Sequence, residues 1–300
     1  MTQPTPSKFE RMAAEPRYKS EDHISNPSHG ALTQIVSKMP KELSLDMVTI
    51  ETDCAIHGKQ IWQVFSNAAN STECQKCKWD RDAFDQRMKL ARDELLANID
   101  MPKEHLGADF KAWAVMGNQQ MIERHTRIIS AMRDYAANYG KGSKNILLTG
   151  STGTGKTKLA CLIANAIVRS RFSGRMSVVY KRSSQIQQEI KATWASGSKD
   201  TEAAIIERIS RATVLILDEV GEGDTCAGQA AAEKDRERLS AIIDRRYQLG
   251  LPTIITTNMS SQAFYQHVGD RAADRLQQRM IDIPCSWPSY RMLNKEVVTL

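Results

Sequence analysis

Three groups of residues in this sequence have types and spacings that can do chemistry. The stretch Gly150-Ser151-Thr152-Gly153-Thr154-Gly155-Lys156-Thr157 fills every fixed position of the pattern G-x-x-x-x-G-K-[ST]. Glycines at those positions let successive backbone N–H groups turn inward around phosphate oxygens, and the helix start behind them adds partial positive charge. Lys156 then reaches the outer phosphates as a point charge, and the Thr157 hydroxyl becomes a ligand of Mg²⁺. Lys158 is counted with these nucleotide-binding residues.

The second group is Asp218-Glu219, closing the apolar run Thr213-Val214-Leu215-Ile216-Leu217. Asp218 is expected to hold Mg²⁺, mostly through water, and Glu219 to orient and activate an attacking water. Acidic residues after a strand are common, so this pair takes its meaning from the phosphate loop upstream. Asn258 ends a similar run, Pro252 to Thr257, and can hydrogen-bond a γ-phosphate or the attacking water. Standing alone it would read as a strand-end cap.

The third group is Cys54-Ala55-Ile56-His57 with Cys74-Gln75-Lys76-Cys77. Two pairs of soft ligands, each with two intervening residues, have the knuckle spacing of a closed zinc site. Three thiolates and one imidazole fill a tetrahedron and leave no open position, so the site is expected to be structural. Trp62, Val64 and Phe65 would form its small core. Cys161, Cys226 and Cys285 have no such spacing, and Cys161 reads as packing.

These groups require particular elements behind them. Ile146-Leu147-Leu148 reads as a buried strand leading into the phosphate loop, and Leu159, Leu162, Ile163, Ala166 and Ile167 recur at helical spacing after it. A continuously apolar run such as Val214–Leu217 indicates a strand buried on both faces, central in a parallel sheet. Carboxylates at the C-terminal end of such a strand lie where these sheets bind ligands. Met176 to Tyr180 reads as another strand, followed by a helix through Ile186, Ile190 and Trp194. Lys181, Arg182 and Ser183, near Tyr180 and Trp194, can track a nucleic-acid backbone. A solvated helix start with a packing tryptophan fits the same residues. Further helices are expected through Leu239, Ile242, Ile243 and Tyr247 and over Gly269–Leu276, with a strand at Met280–Ile283.

Upstream, Phe84, Met88, Ala91, Leu95 and Ile99 form a helical stripe stopped by Pro102. Met121, Ile122, His125, Ile128, Ile129 and Met132 form a second, in which His125 reads as a core histidine. A short helix is expected around Gly30–Met39. The first residues carry Pro4, Pro6, Pro16 and Pro27 with few large apolar groups, the composition of a mobile tail.

The 300 residues suggest about two domains. Hydrophobic content of 41% supports a real core, and a charged fraction of 25% is that of a soluble protein. A net charge of +6 favours polyanionic partners without proving them. No run approaches the ~18 apolar residues of a membrane span. Met1 to Pro6 holds no apolar signal region, so a cytoplasmic setting with reduced cysteines and no membrane partner is expected.

Taken in order, GSTGTGKT, LILDEVG, IIDRRY, TTN, GDRAADRL and WPSYR resemble the DnaC-type replicative helicase loaders and the related IstB-type transposition ATPases, both of the AAA+ class. The resemblance covers about residues 140–295. It implies an AAA+ three-layer α/β sandwich with a parallel sheet. It also implies that Arg275, with Arg271 one turn earlier, acts in trans on a neighbour's nucleotide, and that Arg291 senses the γ-phosphate in cis. The CxxHG…CxxC module resembles that of phage and prophage loaders. The family's helical insertion after the second strand contacts single-stranded DNA, which strengthens the reading of Lys181, Arg182 and Ser183.

The expected organisation is a flexible segment over 1–47, a zinc module over 48–80, a helical connector over 81–139 and an AAA+ ATPase domain over 140–300. The expected function is an ATP-dependent loader, using ATP, Mg²⁺ and Zn²⁺. It would assemble on a hexameric replicative helicase and help place it on single-stranded DNA. Hydrolysis would be slow and partner-stimulated. A transposition helper ATPase is the alternative, and a zinc-containing DNA-binding protein with weak ATPase activity a third reading.

Overall fold

The computed structural model describes residues 47–65, 74–113, 118–194, 200–221 and 229–290. All of the expected tail but Met47 lies outside these residues, with the Gly30–Met39 helix, Cys226 and Arg291. The chain divides into two compact units, Met1–Ala91 and Arg92–Leu300.

In the first unit β1 (Met47–Cys54) and β2 (Gly58–Phe65) form an antiparallel hairpin, in register from Met47 opposite Phe65 to Cys54 opposite Gly58. Helix α1 (Gln75–Asn98) starts directly after Cys74, earlier than its apolar stripe indicates, and runs on into the second unit. Among the described residues of this unit apolar cover is thin. Trp62 and Trp79 meet edge-on at 5.1 Å, while Ile56, Ile61, Phe84 and Leu90 are exposed.

In the second unit, α1 gives way to short helical turns at Lys103–His105 and Phe110–Ala112, followed by α2 (Gln119–Ala137). Then come β3 (Asn145–Thr149), α3 (Lys156–Arg171), β4 (Val178–Arg182), α4 (Ser183–Ala192), α5 (Glu202–Ser210) and β5 (Val214–Asp218). The order ends with α6 (Gln229–Leu249), β6 (Thr253–Thr257), α7 (Ser261–Val268), α8 (Asp270–Gln277) and β7 (Met280–Pro284). The five strands form one parallel sheet in the order β4-β5-β6-β3-β7.

Alternation along each strand splits the core into two layers, because successive side chains leave opposite faces. Ile146, Leu148, Val214 and Ile216 pack with α2, α3 and the chain around Leu96, Met101 and Phe110. Leu147, Leu215, Leu217 and Ile255 pack with α4, α5, α6, α7 and α8. With both faces covered, β5 and β6 are buried at every residue. This is the three-layer α/β sandwich expected. The stretch expected as a connector, 81–139, is divided between the units, and from Leu96 onward its apolar residues share the core with α3. The helix supplies polar ties as well: Asn165 Nδ2 donates to the carbonyls of His105 (2.8 Å) and Ala108 (3.0 Å).

Among the described residues Arg246 is the largest fully buried side chain. Its guanidinium donates to the carbonyls of Ser210 (2.9 Å), Ala212 (2.6 Å) and Pro252, and to Thr253 Oγ1 (2.9 Å). Burial pushes its pKa down to about 10, which still leaves it charged near neutrality. It thus ties together the entries to β5 and β6, at the end of the sheet opposite the acidic pair.

Candidate functional site

The C-terminal ends of β3, β5 and β6 bring the expected nucleotide residues together. Gly155 closes the loop as the N-cap of α3 with φ +84, and a Cβ there would stand 3.1 Å from the Trp113 ring. Gly150 has even less room, since a Cβ would meet the Cys285 carbonyl oxygen at 2.5 Å. Only glycine fits either position. The loop is also held from outside: Trp287 Nε1 donates to the Thr154 carbonyl (2.8 Å), and the Tyr290 N–H to the Gly153 carbonyl (2.9 Å). Trp113, His125 and Trp287 stack edge-on behind it, with His125 and Trp287 at 4.5 Å. His125 is buried with neither ring nitrogen hydrogen-bonded, and burial, then Arg124, lowers its pKa.

Lys156 bends toward its own loop, donating to the carbonyls of Gly150 (2.7 Å) and Ser151 (2.9 Å) and to Asn258 Oδ1 (2.5 Å). Asn258 Nδ2 reaches Thr152 Oγ1 at 3.3 Å. The amide expected to face the γ-phosphate therefore lies against both the loop and its lysine. The Thr157 hydroxyl donates to Asp218, 2.9 Å from Oδ1 and 3.2 Å from Oδ2. A hydroxyl and a carboxylate so joined fit the P-loop donor set for Mg²⁺, in which the metal is held by the loop threonine and the strand aspartate. Lys158 follows on the first turn of α3, half-buried.

Asp218 is fully buried, whereas Glu219 is half-buried and adopts φ +56, a left-handed conformation rare outside glycine. Arg182 Nε lies 3.3 Å from the Glu219 carboxylate and 3.9 Å from Asp218. Arg182, expected among the DNA contacts, thus also borders the acidic pair. Lys181 pairs with Glu189 (2.5 Å) and Asp100 (3.2 Å). Burial lowers its pKa, but these carboxylates, Glu189 first, outweigh that and leave it raised. Ser183 begins α4, and Trp194 is exposed.

Arg275 forms a close ion pair with Asp244 and lies 5.3 Å over the Tyr247 ring, while Arg271 Nε meets the same Asp244 at 3.1 Å and is far more exposed. Both therefore have partners within this chain. Sequence reasoning missed the hydroxyls of Tyr180 and Thr256 around Asp218, and the clamp of Trp287 and Tyr290 on the loop. The position of Tyr180 at the end of a strand, the threonines before Asn258 and the motif WPSYR were the local signals for them.

The third group also converges. Cys54 and His57 flank the hairpin turn, Cys74 precedes α1 and Cys77 lies in its first turn. Their ligand atoms lie within 4.8 Å of one another. Cys54 and Cys77 sulfurs are 3.6 Å apart, and His57 Nδ1 is 3.4 to 3.7 Å from the three sulfurs. A tetrahedral zinc with ordinary bond lengths sets these edges at about 3.8 and 3.6 Å. The four residues fit that ion. Backbone N–H groups of His57 and Ile56 hold the Cys54 thiol down to about 6, whereas its hydrogen bond with Cys54 raises Cys77 to about 11. His57 Nε2 stands 3.5 Å from Asp80.

The model of the IstB-like ATP binding protein family matches residues 77–296. The chain belongs to this family. Among relatives, the replicative helicase loader DnaC of Buchnera aphidicola subsp. Baizongia pistaciae is 26% identical over 170 residues, covering 56% of this chain and 65% of that protein. The DnaC loader of Escherichia coli K12 is 25% identical over 188 residues, covering 62% and 70%. The ATP-binding protein of insertion sequence IS1162 from Pseudomonas fluorescens is 26% identical over 186 residues, covering 60% and 74%. A crystal structure of the DnaC helicase loader superimposes with a TM-score of 0.50 at 21% identity, covering 61% of this chain and 99% of that one. The match thus spans just under two thirds of the Buchnera relative's length. Family membership accounts for the five-stranded parallel sheet and the nucleotide-binding loop together. Among the described residues no helix is long and apolar enough to cross a membrane.

Proposed function

We propose that this protein is an ATP-dependent loader that assembles on a hexameric replicative helicase and helps place it on single-stranded DNA. The observation that carries this reading is that relatives named replicative helicase loader match more than half of the chain, which also carries the phosphate loop Gly150–Thr157 and the pair Asp218-Glu219. Bound Mg²⁺ supplies charge neutralisation at the phosphate oxygens. The backbone of Gly150–Thr157, with Lys156 and Lys158, binds and orients the ATP phosphates, and Thr157 with Asp218 holds the metal. Glu219 accepts the proton of the attacking water, and Asn258 holds that water or the γ-phosphate. Arg291 senses the γ-phosphate in cis. Arg275 leaves Asp244 to act on the neighbouring subunit's nucleotide, so hydrolysis is slow until that neighbour is in place.

In the same reading Cys54, His57, Cys74 and Cys77 hold one structural Zn²⁺. Lys181, Arg182 and Ser183 line a path for single-stranded DNA, whose phosphates compete with Glu189 and Glu219 for the two cations. Binding there weakens with salt, because each phosphate neutralised releases counterions.

Co-purification against candidate hexameric helicases, with and without ATP, tests the loader reading. ATP-dependent capture of a helicase is the expected result. Stable association with a transposase and no helicase would sink it in favour of the second reading, a transposition helper, which the insertion-sequence relative favours.

A further inference from the structure

Asp218 is a fully buried carboxylate, with the Arg182 guanidinium nitrogen 3.9 Å away. A buried charge so placed needs hydrogen-bond donors, and it has hydroxyls from three directions. Thr157 donates from the phosphate loop. Tyr180 Oη, on β4, donates to Oδ2 at 2.5 Å, and Thr256 Oγ1, on β6, donates to Oδ1 at 2.6 Å. The last two come from the strands on either side of β5, and both residues are buried. Each carboxylate oxygen is therefore held from its own side across the sheet. Neither residue lies in the phosphate loop or the acidic pair.

Thr256 does a second thing. Its hydroxyl oxygen accepts from the Glu219 N–H at 3.0 Å while its proton goes to Asp218. One oxygen thus ties the metal-binding carboxylate to the peptide whose left-handed turn aims the water-activating one. The neighbouring backbone supports that turn: the Val220 N–H donates to the Thr256 carbonyl at 3.0 Å, and Thr257 Oγ1 to the Val220 carbonyl at 2.8 Å.

We infer that Tyr180 and Thr256 are positioning residues of the ATPase site, fixing through their hydroxyls the orientation in which Asp218 meets Mg²⁺. Thr256 also sets the backbone of Glu219. This rests on the ATPase reading above and deepens it. A role limited to satisfying a buried charge would change stability alone. Positioning changes how the site responds to magnesium.

The test is a Mg²⁺ titration of ATP hydrolysis, with binding of a fluorescent ATP analogue measured in Mg²⁺ and in EDTA. Tyr180→Phe keeps the ring and loses one hydrogen bond to a charged group, so half-saturation by Mg²⁺ rises about tenfold. Turnover at saturating Mg²⁺ stays near that of the parent, and binding in EDTA is unchanged. Thr256→Val raises the Mg²⁺ requirement and also lowers kcat, whereas Thr256→Ser restores both. If Thr256→Val does not fold, the Tyr180→Phe titration decides. Parent protein that hydrolyses ATP while folded variants share its Mg²⁺ curve and kcat overturns this inference alone. Parent protein that neither binds nor hydrolyses ATP overturns the ATPase reading and this inference with it.

Discussion

The two units organise their chemistry in opposite ways. In the second unit the nucleotide residues stand on a sheet buried on both faces, and Asp218, Lys156 and Thr157 are already hydrogen-bonded to one another's surroundings. Among the described residues of the first unit, the four that could hold a metal sit on a hairpin turn and a helix start, backed by a tryptophan pair and bordered by exposed apolar side chains. The difference is one of what comes first. A large core positions a site before any ligand arrives, whereas a small unit lets its ligand supply much of the folding energy.

The largest expected effect tests that contrast directly. Removing zinc with a chelator, or Cys74→Ser, should unfold the hairpin, since structural zinc contributes about 10–16 kcal/mol in small modules. ATP affinity should be unchanged. Hairpin amide signals that persist in metal-free protein, or purified protein holding well under one zinc per chain, would refute the dependence.

Next in size is Arg275, proposed to act on a neighbouring chain's nucleotide. Arg275→Ala should bind ATP nearly normally yet lose about 10³–10⁵ in assembled turnover. Mixing it with Lys156→Ala protein should recover part of the activity, because some interfaces then pair an intact phosphate loop with an intact Arg275. No recovery despite proven co-assembly would count against action in trans.

Arg246→Met asks how far the second unit depends on its own buried polar groups. It strands the carbonyls of Ser210, Ala212 and Pro252, so a loss of about 3 kcal/mol or more is expected. Urea unfolding of the nucleotide-binding unit measures it, and zinc content should not change. A loss under about 1 kcal/mol would mean that water replaces the guanidinium easily.

The smallest effect concerns His125. Its folded pKa is depressed, so below about pH 6.5 the unfolded chain binds a proton that the folded one refuses. Its contribution is therefore present above that pH and is lost as pH falls toward the folded pKa. His125→Phe should flatten the decline of the urea midpoint through this window. An identical decline in both proteins would show that His125 does not contribute to it.

Much of the site is legible in the sequence because its parts are local. The phosphate loop, Asp218-Glu219 and the two ligand pairs each announce themselves within a few residues. Tyr180 and Thr256 do not, since their meeting at Asp218 depends on β4 and β6 flanking β5, and strand order is a non-local outcome. The strand expected over Met176–Tyr180 is found at Val178–Arg182, which puts Lys181 and Arg182 on the sheet itself and beside carboxylates. Helix α7 went unanticipated: its eight residues, SQAFYQHV, present too short an apolar pattern. The stripe on α1 gave a helix correctly, but periodicity does not say which core a stripe joins. Ala91 and Ile99 are buried, while Phe84 is exposed.

The clamp on the phosphate loop has an optical consequence. The chain has five tryptophans, and two of them, Trp113 and Trp287, are buried edge-on at 6.2 Å, one against Gly155 and the other bonded to the Thr154 carbonyl. Trp79 and Trp194 are exposed and open to aqueous quenchers. The buried indoles are shielded, so the emission that survives quenching comes largely from the loop's own neighbourhood. A movement of Thr154 would pull on the indole N–H of Trp287, which would make that indole an intrinsic fluorescent gauge of the phosphate loop.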